Sequence, residues 1–171
     1  LFPGGFGTHD EGFEIMTLVQ TGKSDPKPIV CLQAPGCDYW DHWNSFITDQ
    51  LLKRRLINAE DLSLFTIVDN VEDAVTEIRT FYRRYHSLRF VGRQLAIRLK
   101  TPLSAAQVEE VQQQFSDMLT EGTFEQRPSL PEEIDEPGLK DLARLTFSFN
   151  RRNAGRLRQL INHLNQLPST A

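Results

Sequence analysis

Cysteine is scarce in this chain: Cys31 and Cys37 are the only two in 171 residues. One stands in an apolar run and the other in a turn-like segment. That is the spacing of neither a disulfide framework nor a zinc site, so both read as ordinary thiols. The four histidines are scattered singly, and neither a metal nor a cofactor is expected. Long hydrophobic runs are missing as well. No apolar stretch approaches the ~20 residues that span a bilayer, and none with a basic flank stands at the start. A membrane partner is therefore not expected, and the cytoplasm is the expected location. Charge of one sign is also lacking, because 23 acids against 19 bases leave a formal charge of −4. Such a balance gives no global argument for nucleic acid as a partner.

Glycine, by contrast, is concentrated. Pro3 to Gly12, "PGGFGTHDEG", holds four of the ten glycines in the chain. A glycine-rich turn that opens a helix leaves backbone N–H groups unpaired and pointing outward, at the end where the helix dipole favours an anion. Phosphate suits such a place. Gly4, Gly5 and Gly7 are expected to let the backbone approach a ligand and adopt positive φ, and the Thr8 hydroxyl can add a further hydrogen bond. Glu11, one turn on, would repel a phosphate but can reach a sugar attached to it. His9, inside the segment, is a further candidate contact. Two plainer readings compete: Thr8-x-x-Glu11 is also the spacing of a capping box, and three glycines with a proline can make a tight turn and nothing more.

The remaining pattern places this segment in an α/β frame. A helix is predicted from Glu11 to Thr21, ending at Gly22. "PIVCLQ" (28–33) and "LFTIV" (64–68) read as strands buried on both faces, hence parallel. Between them, Tyr39 to Arg55 carries Trp40, Trp43, Ile47 and Leu51 at helical spacing. Asp69 with Glu72 starts a helix that runs to about Tyr85. This is the order of the C-terminal half of a Rossmann-like doubly wound sheet, assigned to residues 1–88. In such folds a strand precedes the glycine turn, and Leu1-Phe2 is too short to be one. The chain is thus read as the C-terminal part of a longer protein. From Gly92 the grammar changes. Leu95, Ile97 and Leu99 alternate as in a half-exposed strand, and Ser104 with Gln107 opens a helix to about Thr120. A strand at 124–127, a solvated acidic loop "PSLPEEIDEPG", an alternating strand at 145–149 and a final amphipathic helix follow. The expectation for 89–171 is a small α+β domain of order β-α-β-β-α.

"PGGFGTHDE" resembles the PGGxGTxxE motif of the LOG (Lonely Guy) family, proteins often labelled lysine decarboxylase-like although they have no decarboxylase mechanism. The resemblance extends through "LVQTGK", "KPIV" and the "YW…F" helix to about residue 80. It implies a phosphoribohydrolase, which hydrolyses the N-glycosidic bond of a nucleoside 5′-monophosphate to free base and ribose 5-phosphate. Some members act on cytokinin nucleotides, others on ordinary purine or pyrimidine nucleotides. Carried over by position, Gly4, Gly5, Gly7 and Thr8 would cradle the 5′-phosphate and Glu11 would be the catalytic carboxylate. The resemblance also implies a homodimer. The arginine that the family pairs with this motif lies upstream of it, so the segment alone is expected to have little activity. Gly12 stands where the usual "TLEE" context has a bulkier residue.

Other features admit two readings each. Residues 78–108 hold seven bases and no acid, either a nucleic-acid stripe or a basic face that pairs with the acidic 132–136 loop. Arg151, Arg152, Arg156 and Arg158 can form an anionic-effector site or an ordinary helix start. Trp40 and Trp43 mark a core face or dimer interface, or else a stacking platform. For the chain as a whole, the alternative to an enzyme is a nucleotide-binding regulatory module.

Overall fold

The computed structural model describes residues 1–133 and 135–168. It is a mixed α/β structure in two units, Leu1–Phe81 with Arg152–Gln159, and Tyr82–Arg151 with the residues from Leu160 onward. No helix among the described residues is long and apolar enough to cross a membrane.

In the first unit, α1 (Phe6–Gln20) begins five residues before the predicted start. It ends where the sequence says it should. Gly22, at φ +70°, donates to Val19 O while Lys23 donates to Leu18 O, the paired bonds of a Schellman motif. Strand β1 (Ile29–Leu32) then pairs in parallel with β2 (Phe65–Val68), with Cys31 opposite Ile67. On the other side of β1 the Leu1 amino group donates to Val30 O at 2.7 Å, and Leu32 N–H donates to Leu1 O at 2.9 Å. Two such bonds flanking Cys31 are the pattern of a parallel ladder. Helix α2 (Tyr39–Phe46) runs on into a π-helical stretch, Ile47–Leu52. Cys31, Trp40, Trp43 and Ile47 form the core, with Leu1, Met16, Phe65 and Ile67 packed on it. The tryptophans are therefore core residues, their rings edge-on at 5.6 Å. Burial pushes the Cys31 thiol up to about 11.

Helix α3 (Val71–Phe81) starts at Asn70, whose Oδ1 accepts the Asp73 N–H at 2.8 Å. The cap is thus one residue later than the predicted Asp69. The first turns of α5 (Ala154–Gln166) also belong to this unit. A Cβ on Gly155 would lie 2.4 Å from the Glu60 carbonyl carbon, so only glycine lets the helix approach that backbone. Arg158, 2 % exposed, donates to Glu77 Oε1 at 2.7 Å and to Lys27 O, and its guanidinium lies 4.5 Å from the centre of the Phe81 ring. It is a structural residue of this unit, which removes it from the effector-site reading.

The second unit is a four-stranded antiparallel sheet of order β3-β4-β6-β5, built from Tyr85–Val91, Gln94–Leu99, Ala143–Phe147 and Glu125–Arg127. Helix α4 (Ala105–Phe115) and the end of α5 accompany it. The order along the chain is β-β-α-β-β-α, not β-α-β-β-α. The added strand is β3, read from sequence as helix end and basic stretch; it joins β4 through a tight turn with Gly92 at φ +59°. Nor is β4 half-exposed, since Leu95, Ala96, Ile97, Arg98 and Leu99 are all buried. The "solvated" acidic loop supplies the reason. Glu133 is buried, accepting Arg98 Nε at 2.8 Å, Arg144 Nε at 2.9 Å and the Leu130 N–H at 3.0 Å. Around it, Glu136 bridges Arg98 and Arg89 at 2.7 Å each, and Arg89 also meets Asp135 at 2.9 Å. Burial pushes the Glu133 carboxyl up, but hydrogen bonds from Arg144, Leu130 and Arg98 outweigh it and take it down to about 2.

Candidate functional site

Helix α1 opens at Gly5, which sits at φ −90°, ψ −154° in the N-cap position and supplies no side-chain cap. Thr8 is thus the third helical residue. The capping-box reading of Thr8-x-x-Glu11 does not hold, because the helix begins ahead of Thr8. The first four N–H groups of a helix have no intrahelical acceptor, and here no side chain among the described residues supplies one. Gly4, Gly5 and Gly7 do not take the positive φ expected of them; among glycines that conformation is found at Gly22, Gly36, Gly92 and Gly122. Their use is close approach. A Cβ on Gly4 would fall 2.1 Å from Thr8 Oγ1, whereas at Gly5 and Gly7 it would meet nothing within 4 Å. The Thr8 hydroxyl therefore lies over Gly4, and the space outside Gly5 and Gly7 is open to another molecule.

Gly12, one turn beyond Thr8, is buried, and a Cβ there would approach Leu1 Cδ1 to 3.3 Å. A small residue lets α1 lie close against the start of the chain. Glu11 is exposed, as are Asp10, Phe2 and Phe6, the last at 96 %. A carboxylate and an aromatic ring thus stand in solvent beside the unpaired donors. On the strand side, at the carboxyl ends of β1 and β2, a cleft of about 430 Å³ is lined by residues including Phe2, Pro3, Leu32, Cys37, Asp69 and Asn70. Ligands of open α/β sheets lie at these strand ends.

His9 meets Tyr39, its Nε2 2.7 Å from the Tyr39 hydroxyl and its ring stacked on the Tyr39 ring at 5.8 Å. The same hydroxyl donates to the Gly4 carbonyl at 2.5 Å. Tyr39 was not among the residues singled out from sequence. The available signal was its place, just after the "APGCD" loop that ends a buried strand.

Residues 1–78, a little under half of the chain, match the family model described as "Possible lysine decarboxylase". That family includes the LOG nucleotide phosphoribohydrolases, in agreement with the resemblance carried by "PGGFGTHDE". The match covers the glycine turn, both parallel strands and most of α3. No curated protein matches the chain.

Proposed function

We propose that residues 1–81 carry the phosphate turn and the catalytic carboxylate of a LOG-type nucleoside 5′-monophosphate phosphoribohydrolase. The observation that carries this reading is the uncapped start of α1: a helix N-terminus whose donors no side chain among the described residues uses, opened by the glycines of the PGGxGTxxE motif. The family match over residues 1–78 supports it. In this reading the Leu1–β1–β2 ladder is the C-terminal half of a Rossmann-like sheet, and the active species is a homodimer.

The Gly4, Gly5 and Gly7 backbone and the Thr8 hydroxyl hold the 5′-phosphate, whose charge suits the helix dipole. Phosphate fixed there sets the ribose over the next turn of α1, the turn of Glu11. As the C1′–N bond breaks, its electron pair leaves with the base, and the ribose acquires oxocarbenium character that the Glu11 carboxylate stabilises. Glu11 also orients the water whose oxygen bonds to C1′ and accepts one of its protons, which then passes through solvent to the nitrogen by which the base was attached, returning Glu11 to the carboxylate. Products are free base and ribose 5-phosphate. His9 contributes through Nδ1, because Nε2 is engaged by Tyr39.

The test offers a panel of nucleoside 5′-monophosphates to the full-length gene product and quantifies free base and ribose 5-phosphate. Stoichiometric release, lost in Glu11→Gln, is the expected result. Nucleotide binding without release from any substrate would instead assign the turn to a regulatory module.

A further inference from the structure

We propose that Tyr39 is a positioning residue of the glycine turn, fixing the Gly4–Gly5 peptide that presents the first donor of α1 and setting the tautomer of His9. The inference rests on the phosphate-turn reading above and adds to it a residue from a different element.

The argument begins with proton counting. A tyrosine hydroxyl has one proton to give. The Gly4 carbonyl can only accept, so at 2.5 Å it takes that proton's hydrogen bond. Toward His9 the hydroxyl is left as an acceptor, and at 2.7 Å the Nε2 atom must be the donor. His9 therefore carries its proton on Nε2, and in the neutral ring Nδ1 is the free acceptor.

The second step is the geometry of the peptide plane. The Gly4–Gly5 bond is trans, like every peptide bond described. In a trans peptide the C=O and the following N–H point in opposite directions and cannot turn independently. By holding the Gly4 oxygen, Tyr39 aims the Gly5 N–H. Two successive glycines have the widest backbone freedom of any pair, so without an external restraint this peptide is the least fixed part of the turn.

Tyr39 is well placed to restrain it. Its neighbour Trp40 is held by two bonds, Trp40 N–H to Gln33 Oε1 at 2.7 Å and Trp40 Nε1 to Leu32 O at 3.2 Å, and the same glutamine is itself anchored by Gln33 Nε2 donating to Asp41 Oδ2 at 2.7 Å. The Tyr39 ring stands edge-on to Trp40 at 4.9 Å. Tyr39 itself is half-buried and water could satisfy its hydroxyl, so burial does not by itself require the bond to Gly4.

The experiment compares the full-length gene product with its Tyr39→Phe variant, which keeps the ring. One loosened hydrogen bond corresponds to roughly 3- to 10-fold in affinity. The KM for nucleotide and the Kd for inorganic phosphate should both rise by about that factor, with kcat changing less and the unfolding midpoint held. In ¹⁵N spectra His9 should show Nε2–H in the parent and lose that preference in the variant. Unchanged KM and phosphate Kd, or an Nδ1–H tautomer in the parent, would overturn the inference. So would a loss of stability with no change in either constant, which marks a purely structural tyrosine. If the parent binds phosphate but never releases base, the hydrolase reading fails, and the phosphate Kd still decides the role of Tyr39.

Discussion

Two helices in this protein begin with the same spacing and end up opposite in use. Thr8-x-x-Glu11 and Ser104-x-x-Gln107 both fit a capping box. At α4 the box forms: Ser104 Oγ accepts the Gln107 N–H at 3.2 Å, and Gln107 Oε1 accepts the Ser104 N–H at 3.0 Å. At α1 it does not, because Pro3-Gly4-Gly5 lets the helix start at Phe6 and carries Thr8 inside it. One helix uses its terminal donors for itself, and the other leaves them to solvent or a ligand. The second unit follows the first policy throughout its acidic strap, where Glu133 is enclosed by two arginines and a backbone N–H. Under the proposed function, stability and binding draw on the same groups, and the choice between them is made by the residues just upstream of each helix.

The largest effect belongs to the inward-looking side. Glu133→Ala leaves Arg98 and Arg144 without their shared carboxylate, and breaking a buried ion pair from one side typically costs ~3–5 kcal/mol. Chemical denaturation, followed by the signal of the second unit, checks it. The same carboxyl gives a pH signature. Its folded pKa of about 2 lies below its ordinary 4.5, so the stabilisation is fully present above about pH 4.5 and is lost as pH falls toward 2. That difference corresponds to about 3 kcal/mol. Glu133→Ala should therefore flatten the acid limb of the stability curve.

On the outward-looking side Glu11→Gln should lower kcat by about 100-fold or more, the scale of a lost general base. Unfolding should stay within ~0.5 kcal/mol, as for an exposed surface substitution. A more direct way to break the contrast is Gly5→Ser, which gives α1 the cap it lacks. A Cβ there meets nothing within 4 Å and φ is −90°, so the serine fits. Its hydroxyl would accept from the N–H of Gly7 or Thr8 and withdraw a donor from any anion. Phosphate affinity should fall about 10-fold or more, the value of one hydrogen bond to a charged group, while the fold is kept. Retained affinity would show that these donors are not what binds phosphate.

The parts legible in the sequence were those whose signal is local. "PIVCLQ", "LFTIV" and the Ser104 start are runs or pairs within a few residues, and each is found in place. The parts that escaped depend on distant partners. Strand β3 follows a helix directly and carries a register irregularity between Tyr85 and Ser87, which blurs its two-residue period. Arg98 looks like a solvent-facing position of an alternating strand until Glu133, 35 residues later, is brought onto it. For the proposed site, the glycines, Thr8 and Glu11 could be named as candidates because they form one contiguous motif. Tyr39 was not, because its bond to Gly4 spans 35 residues and no spacing rule reports that.

The smallest effect completes the comparison from the capped side. Ser104→Ala removes the acceptor for the Gln107 N–H and leaves the Gln107 side chain reaching back to a cap that no longer answers it. Loss of such a cap costs ~1 kcal/mol of stability, read as a lower denaturation midpoint with unchanged slope. Nucleotide turnover and phosphate affinity should stay at the parent values, since α4 and the glycine turn belong to different units. The two cap variants then cross: adding a hydroxyl at Gly5 takes away binding and spares the fold, and deleting one at Ser104 weakens the fold and spares binding. A Ser104→Ala variant that lost phosphate affinity would contradict that division, because it would make the capped helix part of the binding machinery.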